Sequence, residues 1–233
     1  YNDQHHLHDI TVYSVYHPGV EHHPALQSTA NHYRFIKADT FWAKVMKRFY
    51  KWSHREGYYF YTIEYFIDRV MHQLRKEDYA LILIENRPGY ALKLAGKTRA
   101  KLVYHLHNAK LDTTVKDYQQ IYDAASRIIT VSDFVTAGIR TVNPDDQKCV
   151  TVYNGISHEA FNPDVQPKLK KADFGFDDDD FVMLYNGKIN PEKGIMELVK
   201  AMKLLSDYPK IKLLAMGSTF YGGNSYNDHP YAH

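Results

Sequence analysis

The sequence has little cysteine, little net charge and no long hydrophobic run. Its one cysteine, Cys149, excludes an internal disulfide framework and a zinc site built from cysteines, and it fits a reducing compartment. No stretch approaches the roughly 18 uninterrupted apolar residues of a membrane-spanning helix. The 29 Lys and Arg residues nearly cancel the 27 Asp and Glu residues, so the overall charge does not indicate nucleic-acid binding. These absences favour a cytoplasmic protein without a nucleic-acid partner.

The residues that are present have the composition of an ordinary globular protein. Of the 233 residues, 44% are hydrophobic and 24% are charged, which argues against a collagen-like or wholly disordered chain. The length corresponds to one large domain, or to one domain and part of another. Because the chain opens at Tyr1 and shows no signal peptide, we expect a piece of a longer protein that is incomplete at both ends.

Short apolar runs alternate with helical patterns along the first two thirds of the chain. Because the runs are apolar almost throughout, they are typical of strands buried on both faces of a parallel sheet. This alternation predicts an α/β fold with a doubly wound sheet. The predicted strands cover residues 10–16, 79–84, 101–106, 127–131 and 149–153, and the predicted helices cover residues 60–76, 114–125 and 132–141.

A change in composition divides the chain. Residues 163–180 contain prolines, a lysine cluster and a run of four aspartates, and they interrupt the hydrophobic periodicity. The pattern then restarts with a strand at 181–185, a helix near 192–206 and a strand at 211–216. We therefore predict a first domain at 1–162, a linker at 163–180 and part of a second domain at 181–233.

The loop after the strand at 181–185 has the composition of a phosphate-binding site. Gly187 allows the backbone to approach a ligand, and Lys188 and Lys193 supply two mobile cations. Gly194 stands where the next helix begins, and a helix N-terminus offers unpaired N–H groups. The loop lacks the Walker consensus. The alternative interpretation is a turn with two solvated lysines.

Polar residues also follow two strands of the predicted first domain, at the sheet edge where ligands bind in open parallel sheets. His105 and His107 are two positions apart, so they share one face of a strand. We expect His105, His107 and Asn108 either to contact a substrate or to have a purely structural role. A metal site is not predicted, because no carboxylate lies at a matching local spacing. Asn154-Gly155 favours a tight turn.

Residues 41–52 form a basic amphipathic pattern. In a helical projection at 100° per residue, the Lys and Arg residues lie on one side and the aromatic and aliphatic residues lie on the other. The segment is therefore predicted either to lie on the anionic inner face of the cell membrane or to pack its apolar side on the sheet. The candidate membrane contacts are Lys44, Lys47, Arg48, Lys51, Trp42 and Trp52.

Taken together, several segments resemble a known family. The segments are 128–135 (IITVSDFV), 152–157 (VYNGIS), 185–194 (YNGKINPEKG) and 213–217 (LLAMG). In this order they resemble a family 4 glycosyltransferase with the GT-B fold, and the resemblance extends over residues 80–218. Residues 85–88 (ENRP) and the His107-Asn108 loop are similar to the bacterial members that build surface polysaccharides.

The resemblance implies a GT-B fold, in which two Rossmann-like parallel-sheet domains face a cleft, with the second domain only partly present in this chain. The first domain is then expected to hold the acceptor and the second to hold the nucleotide-sugar donor. Lys188 stands where the family usually has arginine. The implied donor-diphosphate contacts are Gly187, Lys188, Lys193 and Gly194, the implied catalytic residue is His107, and the implied cleft residues are Asn108, Asn154, Gly155 and Gly217.

The resemblance also implies a reaction. The expected enzyme moves a sugar from a nucleotide-diphosphate sugar, with a UDP-sugar as the expected donor, to a glycan or lipid-linked acceptor in polysaccharide biosynthesis. It is expected to retain the anomeric configuration and to need no metal or other cofactor, and residues 1–233 on their own are expected to be inactive. The alternatives are a GT-B nucleotide-sugar 2-epimerase and a non-catalytic sugar- or nucleotide-binding fragment.

Overall fold

The fold is described from a computed structural model of the chain. The residues described are 7–27, 29–38, 40–42, 44–45, 48–49, 58–159, 161–164, 166 and 168–217. The chain divides into two compact units, Tyr1–Gly155 and Ile156–His233, and each is described by itself. None of the described helices combines the length and the apolar character needed to cross a bilayer.

The first unit contains two parallel sheets. In the smaller sheet, β1 (Thr11–Val15) pairs with β2 (His32–Ile36). The larger sheet has the order β3-β4-β5-β6. Its strands are Leu81–Glu85, Lys101–Leu106, Arg127–Thr130 and Cys149–Thr151. Every strand predicted in the first unit is present, whereas β2 was not predicted, because polar His32 and Arg34 interrupt its apolar residues.

The helices of the first unit lie between these strands in the sequence. Those with described bounds are α1 (Pro24–Gln27), α2 (Tyr58–Leu74), α3 (Ala91–Leu94), α4 (Tyr118–Ala124) and α5 (Asp133–Val142). Ser132 caps the start of α5, because its Oγ accepts a hydrogen bond from the Val135 N–H at 3.3 Å. The short helices α1 and α3 were not predicted.

The core of the first unit lies mainly on one face of the larger sheet, where it packs against residues of α2 to α5. Tyr104 and Leu106 on β4, Ile128 on β5 and Ile139 on α5 are fully buried. The buried hydroxyl of Tyr104 donates a hydrogen bond to the Ile121 carbonyl at 2.6 Å, so it is satisfied. Val103, on the other face of β4, is also buried, which explains why this strand is apolar almost throughout.

The described part of the second unit contains one strand–helix–strand motif. Strand β7 (Phe181–Asn186) pairs in parallel with β8 (Ile211–Met216), and α6 (Ile195–Leu204) lies between them in the sequence. All described strands of the protein therefore pair in parallel. The fold class predicted from the sequence, an α/β protein with parallel Rossmann-like sheets, is confirmed. The domain bounds at 162 and 180 stay a prediction.

An acidic turn precedes β7 and is tied to the start of β8. Lys210 Nζ lies 2.9 Å from Asp179 Oδ1 and 3.3 Å from Asp177 Oδ2. It also lies 3.9 Å from Asp180 Oδ1, and the Asp180 side chain is 3% exposed. The hydrogen bond from Lys210 lowers the pKa of Asp179, and the hydrogen bonds to Asp179 and Asp177 raise the pKa of Lys210. Lys210 thus provides positive charge for the aspartate run, and Lys171 also helps to lower the pKa of Asp179.

We expect Lys210→Met to make the stability of the second unit less dependent on pH in acid. The lowered pKa of Asp179 means that the ionised carboxylate stabilises the fold above the ordinary aspartate pKa of about 4. That contribution is lost as the pH falls through the lower folded-state pKa. In the variant this loss shrinks, and the protein is less stable than the wild type at pH 6. Thermal unfolding followed by circular dichroism from pH 6 to pH 3 measures both effects.

The matched control is Lys200→Met, which removes an exposed lysine of α6. It should keep the wild-type pH dependence. Equal acid sensitivity in Lys210→Met and the wild type would contradict the assigned role of the Lys210 cluster.

Candidate active site

Polar side chains meet where β3 and β4 end. The two strands pair in parallel with Glu85 opposite His105, and His107 follows on the same face of β4. Glu85 Oε1 lies 3.1 Å from His105 Nδ1, and Glu85 Oε2 lies 3.1 Å from His107 Nε2. The two imidazole rings are 4.4 Å apart between centroids. One carboxylate therefore joins both histidines that the sequence analysis selected.

Asn86 holds the two strand ends together. Its backbone N–H donates to the His105 carbonyl at 2.8 Å, and its side-chain Oδ1 accepts from the His107 N–H at 3.2 Å. Asn86 has φ of 53°, in the left-handed region that asparagine tolerates better than most residues. The loop that carries His107 and the exposed Asn108 is thus positioned by hydrogen bonds from the neighbouring strand.

A second polar cluster lies at the ends of β5 and β6. Asp133 accepts hydrogen bonds from Thr151 Oγ1 at 2.8 Å and from the Tyr153 hydroxyl at 2.6 Å. These two hydrogen bonds lower the pKa of Asp133, and the bond from Tyr153 has the larger effect. The exposed Asn154 and Gly155 follow directly. The carboxylate is thus held ionised beside the predicted cleft residues.

The thiol of Cys149 is not activated in this neighbourhood. It is half-buried, and burial is the main cause that raises its pKa. Its nearest polar groups are the hydroxyls of Thr130 and Thr136, at 4.0 and 3.9 Å from the sulfur. The cysteine therefore stays protonated at neutral pH, as expected for a structural side chain rather than a nucleophile.

The predicted phosphate-binding loop lies between β7 and α6. The hydroxyl of Tyr185 donates to the Lys188 carbonyl at 2.6 Å, which holds the backbone of the first lysine. Asn190 Oδ1 accepts from the Lys193 N–H at 3.1 Å and caps a turn of 3₁₀-helix, Pro191–Lys193. Gly194 has φ of 70°, a conformation that glycine adopts without strain. The side chains of both lysines are exposed.

Gly217 touches the same loop. The Gly187 N–H donates to the Met216 carbonyl at 3.0 Å. A Cβ atom on Gly217 would lie 1.8 Å from the Gly187 carbonyl oxygen, a distance at which the backbone has to move. Gly187 and Gly217, which are 30 positions apart, are therefore in direct backbone contact. The sequence analysis selected both glycines but did not predict this contact.

The basic amphipathic segment is described only in part. Phe41, Trp42, Lys44, Val45, Arg48 and Phe49 have helical backbone. Phe41 and Trp42 are 73% and 72% exposed, and their rings meet edge to face at 5.9 Å between centroids. Phe49 is also exposed. Lys47, Lys51 and Trp52 lie outside the described residues.

Sequence comparison finds relatives with transferase activity. Residues 5–160 match the sequence model of Glycosyltransferase Family 4. The chain is 30% identical over 181 residues to the lipopolysaccharide 1,2-N-acetylglucosaminetransferase of Salmonella typhimurium, covering 76% of this chain and 44% of that protein. It is 35% identical over 100 residues to the capsular polysaccharide biosynthesis glycosyltransferase CapM of Staphylococcus aureus, covering 40% of this chain and 26% of that protein. The chain thus spans less than half the length of these curated relatives.

A solved structure with a related chain trace is that of Anabaena Alr3699/HepE in complex with UDP. It is 15% identical to this chain and has a TM-score of 0.49, and the match covers 89% of this chain and 69% of the other.

Both parallel α/β units carry polar or charged side chains at the strand ends, where ligands bind in open parallel sheets. In the second unit these belong to the loop at 187–194, here called the lysine loop, which bears Lys188 and Lys193. The family match covers more than half of the residues. The chain belongs to glycosyltransferase family 4, and the resemblance that the sequence motifs indicated is confirmed.

The sequence analysis missed two acidic residues of these clusters. Glu85 belongs to one of the family-like segments but was not selected as a site residue, because it lies 20 positions before His105. Asp133 lies in another of these segments, at the beginning of a predicted helix, and was not selected either. The available signal was the position of each residue at the carboxyl end of a predicted strand, or directly after it, where ligands bind in parallel sheets.

We expect Gly217→Ala to destabilise the second unit by about 2 kcal/mol, because the added methyl group overpacks the contact with Gly187. Urea unfolding followed by circular dichroism measures the change. Hydrogen exchange at the Gly187 N–H should accelerate in the same variant.

The control is Gly89→Ala, where the new Cβ meets no atom within 4 Å. It should leave the stability almost unchanged. Wild-type stability and exchange in Gly217→Ala would show that the two glycine backbones are not in contact.

Proposed function

We propose that the protein transfers a sugar from a UDP-sugar to a glycan or lipid-linked acceptor in the synthesis of a surface polysaccharide. The observation that carries the proposal is the presence of two exposed lysines, Lys188 and Lys193, in the lysine loop of a chain that belongs to glycosyltransferase family 4. Membership of the family and the relatives in lipopolysaccharide and capsule synthesis support the reaction class.

The proposed donor contacts are Lys188 and Lys193, together with the backbone of Gly187 and Gly194. Two exposed ammonium groups on one short loop complement the negative charge of a diphosphate. A cation about 4 Å from a phosphate oxygen gains on the order of 4 kcal/mol at an effective dielectric constant near 20, before desolvation is subtracted. The hydrogen bonds of Tyr185 and Asn190 to this loop reduce the reorganisation that binding requires.

In the proposed reaction, negative charge develops on the diphosphate as the bond to the sugar breaks. Lys188 and Lys193 stabilise this leaving group, so no metal ion is needed to neutralise it. His107 is the proposed catalytic residue and is held in place by Glu85 and Asn86. The acceptor hydroxyl attacks the anomeric carbon with retention of configuration. The further proposed substrate contacts are Asn108, Asn154 and Gly155 in the first unit and Gly217 in the second.

We expect Lys188→Ala and Lys193→Ala each to weaken UDP binding about tenfold, because each removes a charged hydrogen-bond donor from the diphosphate. Lys188→Arg should bind UDP at least as tightly as the wild type, since a guanidinium contacts two phosphate oxygens at once. Isothermal titration calorimetry with UDP measures the affinities.

The matched control is Lys200→Ala, an exposed lysine of α6 outside the loop, which should bind UDP as the wild type does. UDP affinity that is unchanged in the Lys188→Ala/Lys193→Ala double variant would overturn the proposed donor site. Circular dichroism of each variant separates lost binding from lost folding.

We further propose that the protein works on the inner face of the cell membrane, which the segment at 41–52 contacts from the cytoplasm. Phe41 and Trp42 are exposed beside Lys44 and Arg48 on one helical segment. Such a segment can insert its aromatic rings at the headgroup level while its cations meet anionic lipids. This location would bring the enzyme close to a lipid-linked acceptor.

We expect the protein to co-sediment with vesicles that contain anionic lipid and not with neutral ones, and to dissociate as salt is added. Lys44→Gln/Arg48→Gln should weaken binding about 30-fold, since each charge near an anionic surface contributes about 1 kcal/mol. Lys200→Gln/Lys203→Gln, which also neutralises two exposed helical cations, is the matched control. Absent or salt-insensitive sedimentation would leave the segment with a purely structural role.

A further inference from the structure

We propose that Glu85, His105 and His107 form a binding site for a late first-row divalent metal ion such as Zn²⁺. Three potential ligand atoms, one from each residue, lie within 4.8 Å of one another. The inference rests on these contacts alone and does not depend on the proposed sugar transfer, in which the metal would take no part in holding the diphosphate.

The chemistry of the three side chains selects the class of metal. Two imidazole nitrogens and one carboxylate oxygen are the ligand set that zinc and its first-row neighbours prefer. Ca²⁺ takes six to eight oxygen ligands, and Mg²⁺ demands octahedral oxygen coordination, so a site with one carboxylate suits neither. The cluster therefore favours Zn²⁺, Co²⁺ or Ni²⁺.

The distances are close to those that such an ion requires. Ligand atoms about 2.0 to 2.1 Å from a tetrahedral metal lie roughly 3.3 Å from one another. Each histidine nitrogen is 3.1 Å from a Glu85 oxygen. Small side-chain rotations would therefore bring the three atoms onto one ion without moving the backbone.

The backbone of the site is already in place. The pairing of β3 with β4 holds Glu85 beside His105, and the two hydrogen bonds of Asn86 hold the strand ends together. The side chains of Glu85 and His107 are 57% and 43% exposed, and that of His105 is 25% exposed. An ion can thus enter from solvent, and its fourth position is open to water or another ligand.

One other cluster of described residues also has three potential ligand atoms within 4.8 Å of one another, but a lysine already contacts its carboxylates. It consists of Asp177, Asp179 and Asp180. There the ammonium group of Lys210 already lies 2.9 Å from Asp179 Oδ1, so a metal ion would have to displace a tethered cation. At the Glu85 cluster, the carboxylate is contacted by the two histidines, which are themselves metal ligands.

The test is a titration of the metal-free full chain with Zn²⁺ by calorimetry, together with Co²⁺ titration followed by visible absorption. We expect one tight Zn²⁺ site per chain and a Co²⁺ spectrum of the intense, tetrahedral kind. Glu85→Gln, His105→Asn and His107→Asn should each weaken Zn²⁺ binding at least about 100-fold, because removal of a ligand should cost no less than the loss of an outer-shell partner.

The matched control is His32→Asn. His32 is paired with Asp9 at 3.4 Å on the surface, a histidine–carboxylate contact outside the proposed site, so this variant should retain the tight site. Glu85→Gln keeps the size of the side chain and one acceptor oxygen, and its thermal unfolding without metal shows whether the strand ends remain folded.

Two results would overturn the proposal. The first is Zn²⁺ binding that is equally strong in the wild type and in a folded Glu85→Gln/His107→Asn double variant, which would assign the metal to other histidines. The second is the absence of any tight Zn²⁺ site in the wild type. Because the titrations need neither donor nor acceptor, either result would leave the transferase proposal unaffected.

Discussion

The parallel pairing of β3 with β4 is the contact on which the candidate active site depends. The register places Ile84 opposite Tyr104 and Glu85 opposite His105. Ile84 and Tyr104 are buried, so the hydrophobic effect strongly favours this register, because a shift of one residue would turn the apolar side chains toward solvent. The same shift would turn Glu85 away from His105. Packing of apolar side chains in the core thus determines which polar side chains meet at the strand ends.

In each unit, polar or charged side chains lie at the carboxyl ends of parallel strands. In the first unit a carboxylate and two imidazoles meet where β3 and β4 end, whereas the second unit presents Lys188 and Lys193 after β7. Both arrangements follow from parallel strands, whose carboxyl ends lie at one edge of a sheet and leave the following loops available for binding. The second unit adds the backbone contact of Gly217 with Gly187, which ties the lysine loop to the end of β8.

The sequence predicted most of the fold because the signals for strands and helices are local. The apolar run at 101–106 became β4, and the helix predicted at 132–141 is present as α5. Strand β2 was missed because exposed His32 lies within it, and its assignment as a strand depends on pairing with β1. Pairing between strands that are about 20 residues apart leaves little trace in a single sequence.

The sequence by itself determined most of the order of strands and helices, the family motifs and the lysine loop, since residue type and periodicity carry this information over short distances. The tertiary structure alone decided that Glu85 joins His105 and His107, and that Gly217 touches Gly187. Spacing along the chain cannot reveal either contact, because each arises from two parallel strands that meet only when the core between sheet and helices is packed.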